Sequence, residues 1–580
     1  MELGVYAIIG IAVIVGVAAF SRRLGVAAPI ILVVVGVGLS FLPGVPPIEL
    51  PHDWVLDGLL PPILYAAAIS VPVVDFRRNL STIASLSVVL VIVTAFAVGF
   101  VLYTVLPDLN LAAAIALGAI ISPPDAVAAT SVGRRLGLPP RLLTLLEGEG
   151  LVNDATALVL LRSALVAALG GVLTPWEAVG DFAFAVVAAV LVGLATAIAT
   201  VFVRSMLRDP VLDTAISLVV PFVAFVPTQA LGASGVLAVV IAGLYTGHAA
   251  PKQFSAQARV SDRVNWRTIQ FLLESAVFLV IGLELRTLIA HVHDDTNPHR
   301  LSVEASIGIG LLAVAALIVL RFLWMVPLLY RLRLRARREE KRVLRQWLQL
   351  HYYYSTPRRR RTETWRRRAL ERSYERRRSD LEQLRRERID WRGGLVLGWS
   401  GMRGVVTLAA AQSLPADIPY RSQLILIAFT VAVVTLLLQG GTLPYLIRIL
   451  RIEGVDEQSD RRELALLLDD LSAAGLAVLD NPHEVLGTSD DIDPDVLERV
   501  RQSAFLRSEA AWERARIAGG TEDPTPHRTF RILRGAVVEA ERDRLLTLRS
   551  LGTYPSRILA EAQAMLDIEE GRLRPPRPGH

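Results

Sequence analysis

The chain lacks cysteine and is almost without lysine. Lys252 and Lys341 are the only lysines among its 580 residues, so arginine carries nearly all of the positive charge. Without cysteine there can be no disulfide bond, no cysteine-bound zinc and no thiol nucleophile. The sequence also shows no nucleotide-binding loop, metal-ligand cluster or credible catalytic triad. We therefore expect a protein that is not an enzyme and has no cofactor.

Hydrophobic residues make up 53% of the chain, and its mean hydropathy is +0.46 although 20% of the residues are charged. A soluble domain has about 45–50% apolar residues, so polar and apolar residues must here be segregated. Apolar runs of about 17–25 residues can cross a membrane. Thirteen such runs predict an all-α polytopic membrane protein of about 13 transmembrane helices: 4–20, 24–43, 54–73, 83–106, 109–130, 141–169, 179–203, 211–228, 235–248, 268–288, 304–330, 394–414 and 423–447.

Arginine is concentrated in every second connection between these runs, beginning with Arg22 and Arg23, and the other connections are nearly free of basic residues. Short basic loops remain in the cytoplasm. The alternation therefore predicts a multi-pass protein of a bacterial plasma membrane, with its N-terminus outside and its C-terminus in the cytoplasm. The start of the chain lacks the positive segment of a cleaved signal peptide.

We expect four segments: 1–330 and 393–450 as the transmembrane domain, 331–392 as a helical cytoplasmic insert, and 451–580 as a helical cytosolic domain. The insert has 22 arginines and one lysine against nine acidic residues, a net charge of +14. Residues 452–580 have a net charge of −8. Because the insert adjoins a span, its arginines are expected to contact anionic lipid headgroups rather than nucleic acid.

Charge at membrane depth is costly and usually lines a pathway, and eight charged residues within the predicted spans are the candidates for this role. They are Asp125, Glu147, Glu149, Asp154, Arg162, Glu274, Arg321 and Arg403. Glu147, Arg162 and Arg321 lie close enough to span ends to reach water, so a purely structural role is favoured for them. Glu274 is a possible residue of an ion pathway.

Asp125 follows two prolines in the segment Ser122-Pro123-Pro124-Asp125. Consecutive prolines remove backbone donors and clash with the preceding turn, so the helix should break here. Carbonyls near Ser122 and Pro124 then become free to meet an ion, and the Asp125 carboxylate lies at the break. Interrupted spans of this kind mark the binding site in many secondary transporters. A merely kinked helix is the alternative.

The sixth span places a second carboxylate deep in the membrane. If its helix starts near Pro140, Asp154 lies about 21 Å along it. Glu149 and Asn153 are four residues apart and share a helix face. Three polar side chains thus converge near the break at Asp125, either as an ion site or as a buried structural cluster.

Arg403 lies in the segment Gly401-Met402-Arg403-Gly404, the polar centre of the twelfth span. A lone buried arginine requires a carboxylate partner. The fifth and twelfth spans are predicted to run in opposite directions, and two interrupted spans of this kind are typical of an inverted repeat. The residues alone therefore favour a cation-coupled secondary transporter.

These motifs resemble the monovalent cation/proton antiporter family, in particular its bacterial sodium/proton exchangers, over about residues 1–450. The resemblance implies thirteen helices in an inverted repeat with two interrupted crossing helices, a homodimer, and exchange of Na⁺ or K⁺ for H⁺. It assigns Asp154 as the ion-binding aspartate and Asp125 as the aspartate of the first break. Arg403 becomes the arginine of the second break, and Glu149 its partner. The chain departs from the family pattern at Ala66, Pro124 and Gly150, where many members have Glu, Thr and Ser.

We expect Asp154 to bind either one cation or one proton, with Asp125, Asn153 and the carbonyls near Ser122 and Pro124 completing the cation site. Exchange would then be electroneutral, one for one, and serve pH and cation homeostasis. The first alternative is an electrogenic exchanger in which Glu149 or Asp125 also carries a proton. The alternative from another class is a cation channel.

Overall fold

The computed structural model describes the transmembrane part of the chain almost completely. The described residues are 2–24, 27–43, 51, 53–170, 175–207, 209–294, 301–355, 389–452, parts of 368–382, 454, 457–480, 494–502, and short stretches between 533 and 569. Regular secondary structure in these residues is helical.

The helices follow one another with short connections. In chain order they are α1 (Glu2–Leu24), α2 (Ala28–Ser40), α3 (Leu60–Ser70), α4 (Val73–Ala84), α5 (Val91–Val105), α6 (Leu111–Ile121), α7 (Ala126–Arg135), α8 (Pro140–Ala168), α9 (Pro175–Met206), α10 (Pro210–Ala230), α11 (Gly235–Gln253), α12 (Ala256–Asp294), α13 (Val303–Ser355), α14 (Trp391–Trp399), α15 (Val405–Gln412), α16 (Arg421–Thr435), α17 (Gly441–Leu450) and α18 (Glu457–Ala477). Single π-helical segments precede α3, join α4 to α5, and join α16 to α17.

Each of the thirteen predicted spans coincides with a helix or with an interrupted pair of helices. In the described part of the chain, eight helical stretches are long and apolar enough to cross a membrane, and three shorter apolar helices lie within 8–70. The protein is therefore polytopic, whereas the total of thirteen crossings and the repeat relation stay predictions.

Both predicted helix breaks are confirmed. The first lies between α6 and α7, at residues 122–125, where Pro123 and Pro124 cannot donate backbone hydrogen bonds. The second lies between α14 and α15, at residues 400–404, which include Gly401 and Gly404. Each break is flanked by half-helices of 8 to 11 residues, so each span is polar in its middle.

The helices pack as two bundles. The core bundle comprises α4–α8 and α13–α17 and contains both breaks, and the scaffold bundle comprises α1–α3 and α9–α12. Helices α4 and α8 of the core bundle contact α11 of the scaffold bundle, and Phe76 of α4 and Leu158 of α8 pack against the apolar cluster formed mainly by α3 and α9–α11, so both residues lie at the boundary between the bundles. We call the end where α7 ends and α8 begins the basic end, after Arg134, Arg135 and Arg141, and the other the non-basic end.

A buried charge network joins the scaffold helices at the basic end. Arg204 of α9 donates to both carboxylate oxygens of Asp213 at 2.8 and 2.7 Å and to Asp262 of α12 at 2.5 Å. Its guanidinium also lies 4.1 Å from the centre of the Phe254 ring. Trp266 of α12 donates to a serine of α10 at 2.8 Å. These bonds fix three scaffold helices to one another where their ends would otherwise be free.

Two features bear on the predicted domain boundaries. The boundary at 330/331 falls inside α13, which runs for 53 residues without interruption. The chain divides into two compact units, Met1–Ile452 and Glu453–His580. In the second unit, α18 and residues 494–502 and 536–545 are helical. The predicted tail helix at 495–517 lies mostly outside the described residues, and those at 529–550 and 555–571 lie partly outside them.

Candidate ion-binding site

The first break is organised by Asp125. Its side chain caps α7, because Oδ1 accepts a hydrogen bond from the Val127 N–H at 2.8 Å. Its backbone N–H donates to the Met402 carbonyl of the second break at 2.5 Å. The two breaks therefore contact each other directly. A Cβ atom on Gly404 would overlap the Asp125 carboxylate, so a glycine is required where the breaks cross.

Asn153 and Asp154 of α8 lie beside the first break. The Asn153 amide donates to the Pro124 carbonyl at 2.6 Å, and its oxygen accepts from the Asp154 N–H at 2.7 Å. Asp154 is half-buried and interacts electrostatically with Asp125. Within the described part of the chain its carboxylate accepts no hydrogen bond. The structure thus brings together the two predicted ion-binding carboxylates and leaves that of Asp154 available.

The predicted pairing of Glu149 with Arg403 is wrong. Arg403 is 2% exposed and donates to backbone carbonyls, those of Ile121 at 3.0 Å and Ser122 at 3.3 Å, and that of Gly401. The first two carbonyls lie at the carboxyl end of α6, where the helix dipole is negative. The break itself therefore satisfies this arginine, which needs no carboxylate.

Glu149 pairs instead with Arg321 of α13, which had been expected to reach water. The pair is bidentate, with N–O distances of 2.6 and 2.9 Å and side chains that are 2% and 4% exposed. Arg321 also donates to the Leu397 carbonyl at 3.1 Å, near the carboxyl end of α14. Each break thus places an arginine at the end of its first half-helix. Gly401 separates the two guanidinium groups, since a Cβ there would lie 2.8 Å from Arg321 and 3.2 Å from Arg403.

The fixed charges of the core bundle at this site do not cancel. Arg321 and Arg403 carry two positive charges, and Glu149, Asp125 and Asp154 carry three negative charges when ionised. A single uncompensated charge away from water is costly. One monovalent cation or one proton at Asp154 would neutralise the set, and its oxygen donors are those that hard cations prefer.

Other predicted site residues lie nearby with different partners. The Ser122 hydroxyl donates to the Ala119 carbonyl at 3.1 Å, so its hydrogen is already used within α6. Glu274 of α12 accepts from Gln270 at 2.8 Å and interacts electrostatically with Asp125 across the bundle boundary. Glu147 pairs with Arg134 at 2.5 Å at the basic end, as expected for a residue with a structural role.

Comparison with known proteins identifies the family of the chain. The family described as sodium/hydrogen exchanger, transmembrane, matches residues 9–449. The chain belongs to the sodium/hydrogen exchanger family. Members of this family are antiporters, and the chain is therefore a multi-pass membrane antiporter of the sodium/proton exchange type and not a member of an enzyme class.

Individual relatives extend over different parts of the chain. An uncharacterized Na⁺/H⁺ exchanger of Mycobacterium tuberculosis is 28% identical over 97% of this chain and 95% of its own. A sodium, potassium, lithium and rubidium/H⁺ antiporter of Bacillus subtilis is 30% identical over 51% of this chain and 45% of its own. The sodium proton antiporter MjNhaP1 of Methanocaldococcus jannaschii, solved at pH 8, shares the fold with a TM-score of 0.55 and 18% identity, covering 78% of this chain and 100% of that one.

The structure accounts for departures of this exchanger from the pattern of its family. Gly150 replaces the usual serine because a Cβ there would lie 2.6 Å from the Ala126 Cβ, too close for two carbon atoms. Ala66 is buried in the apolar interior of the scaffold bundle, among helices α3 and α9–α11. Pro124 contributes its carbonyl rather than a side chain, as the bond from Asn153 shows.

Sequence reasoning missed two polar contacts of this exchanger. Arg321 was set aside because it lies within reach of a span end, yet its position in an apolar run could have marked it as a second partner for Glu149. Glu284 of α12 is 4% exposed and accepts from Gln412 at 3.0 Å. It lies near the end of the tenth predicted span at 268–288 and was not singled out from the sequence.

Proposed function

We propose that this exchanger transports Na⁺ or K⁺ in exchange for H⁺ by alternating access, with Asp154 as the carrier. The observation that carries the proposal is the half-buried Asp154 carboxylate, which has no hydrogen-bond partner in the described residues and lies beside Asp125 at the crossing of two helix breaks. A carboxylate in this position can hold a cation or a proton, and the two compete for the same oxygens.

The cation site that we propose consists of Asp154, Asp125 and backbone oxygens of the first break. Asp125 uses one oxygen to cap α7, and the other remains for a cation. The carbonyls of Ser122 and Pro124 already accept one hydrogen bond each, from Arg403 and Asn153. A carbonyl oxygen has two lone pairs, so each can still contribute to the ion at a fixed distance.

Charge counting supports one-for-one, electroneutral exchange. The core bundle carries one surplus negative charge at the site, so loading one cation or one proton makes it neutral in either case. A neutral bundle crosses the membrane potential without electrical work, whereas one residual charge would involve about 2.3 kcal/mol per 100 mV. We further propose that the core bundle moves against the scaffold bundle and that scaffold helices form a homodimer in the lipid bilayer.

Glu274 favours the second candidate function, an electrogenic exchanger. This carboxylate lies on the scaffold bundle, interacts electrostatically with Asp125, and is the additional acid that a second proton requires. In the electroneutral mechanism, Glu274 instead attracts cations to the site from the basic end.

The proposed orientation of the chain, with basic loops in the cytoplasm, follows from the charge of its loops, and the proposed role in pH and monovalent cation homeostasis follows from the exchange itself.

The first experiment tests Asp154. In proteoliposomes with an imposed pH gradient, the native chain should exchange H⁺ for Na⁺, Li⁺ or K⁺, and Asp154→Asn should abolish exchange without changing the oligomer seen by size exclusion. Glu147→Gln is the matched control, because this carboxylate lies on the same helix but pairs with Arg134 at the basic end. Exchange by Asp154→Asn at the native rate would exclude Asp154 as the carrier.

The second experiment tests stoichiometry and class. With the membrane potential clamped by an ionophore for a non-transported ion, the native rate should not respond to voltage, and a solid-supported membrane should record no transport current. A steady current coupled to the proton gradient would favour the electrogenic alternative. Large unitary currents that ignore the proton gradient would favour a channel.

A further inference from the structure

Among the described residues, hydrogen bonds from core side chains connect the bundles at the non-basic end. Gln412 of the core bundle donates to Glu284 of the scaffold bundle at 3.0 Å. Arg162 of the core bundle donates to the Ala233 carbonyl, between α10 and α11 of the scaffold bundle, at 3.5 Å. Neither residue pair takes part in the ion site, so both are available for a separate role.

The Glu284 contact is the stronger of the two. Glu284 is 4% exposed, and a buried carboxylate is retained only where donors compensate for its lost hydration. A hydrogen bond to an ionised carboxylate is about twice as strong as one between neutral groups. One of the hydrogen-bond donors to Glu284 is the Gln412 amide, which belongs to the core bundle.

The position of Gln412 connects this contact to the ion site. Gln412 is the last residue of α15, and the first residue of that half-helix follows Gly404, which touches Asp125. Eight helical residues span about 12 Å and behave as a short rigid rod. A displacement of the ion site relative to the scaffold therefore displaces Gln412, and the bond to Glu284 must break.

Resting on the alternating-access mechanism proposed above, we propose that Glu284 is a positioning residue that holds the bundles together through Gln412, and that release of this bond is a step of every exchange cycle. The bond then stabilises the conformation in which the bundle boundary is closed at the non-basic end. Its strength sets how often that end opens, and so it acts on transport without touching the cation.

The test uses the native absence of cysteine. Leu158→Cys reports the boundary one turn beyond Asp154 toward the non-basic end, and Phe76→Cys reports it near the basic end. Each is labelled in lipid nanodiscs with a membrane-impermeant thiol reagent. Removing the bond with Glu284→Ala should raise the labelling rate at position 158 about tenfold, equivalent to about 1.4 kcal/mol. Labelling at position 76 should fall.

Partner, rescue and control variants distinguish the proposed role of the Glu284–Gln412 bond from a general structural effect. Gln412→Ala should reproduce the change, and the double variant should add nothing to either single one. Glu284→Gln should restore part of the native rate, since two amides can still form a neutral hydrogen bond. Glu304→Ala, at an exposed acidic residue of the same end, should change nothing. Additive effects, or unchanged labelling at position 158, would overturn the proposal.

Transport kinetics give a second measurement in chains without a reporter cysteine. Opening the non-basic end more often should lower the KM for cation added at that side and raise it at the other, with Glu284→Gln between the native chain and Glu284→Ala. If the KM values at both sides are the same in every variant as in the native chain, the proposed role of the Glu284–Gln412 bond is contradicted. If the native chain itself fails to exchange cations for protons, the proposed function is wrong. If the native chain exchanges and the variants behave as it does, only the proposed role of the Glu284–Gln412 bond is wrong.

Discussion

Replacing Arg321 by alanine should unfold the core bundle more readily than replacing Arg403. Arg321 forms a bidentate pair with Glu149, at 2.6 and 2.9 Å, and a third bond to a carbonyl of α14. Both side chains are almost fully buried, so the glutamate would remain as an uncompensated charge. Breaking such a pair costs about 3–5 kcal/mol of unfolding free energy. Arg403 donates to neutral carbonyls, and an unsatisfied neutral group costs less than an unsatisfied buried charge.

The measurement is a double-mutant cycle in mixed micelles, with unfolding by a denaturing detergent followed by tryptophan fluorescence. Alanine at 149 and 321 together should cost less than the sum of the single changes, with a coupling of about 2–3 kcal/mol. The same cycle for 149 and 403 should give a clearly smaller coupling. A larger coupling between 149 and 403, or additive effects at 149 and 321, would refute the pairing that we describe.

Three further predictions concern close packing and buried charge. Gly404→Ala should abolish exchange in proteoliposomes because its methyl group would displace the Asp125 carboxylate, whereas Gly441→Ala, which meets nothing within 4 Å, should not. Gly150→Ser should lower the melting temperature through a clash worth about 1–3 kcal/mol, and Ala126→Gly in the same chain should restore it. Arg204→Met should destabilise the folded protein by about 3–5 kcal/mol, measured by detergent unfolding, because two buried aspartates lose their shared partner. An unchanged melting temperature in Gly150→Ser, or an unchanged unfolding free energy in Arg204→Met, would contradict the contacts on which the prediction depends.

The helix breaks could be predicted from sequence because their causes are local. Two consecutive prolines stop a helix wherever they occur, and an aspartate after them caps the next one. The proximity of Asp154 to Asp125 also followed, since both positions could be placed at mid-depth by counting residues from the span ends.

The ion pair could not be predicted in the same way. Arg321 and Arg403 are both single arginines in apolar runs, and only tertiary packing decides which of them meets Glu149. Charge alone favoured Arg403, but the carbonyls freed by the first break satisfy it instead. The Arg204 network could not be predicted for another reason: Arg204 directly follows the seventh predicted span, where an arginine is expected to belong to a basic loop, although it is fully buried between helices.

Among the described residues, the charges that compensate one another at the ion site lie on the core bundle, and the scaffold bundle contributes the additional carboxylate of Glu274. Ion chemistry and the supporting framework are therefore separable parts for protein engineering. A chimaera that keeps α4–α8 and α13–α17 but takes its other helices from a relative should inherit the ion preference of the former and the turnover and assembly of the latter.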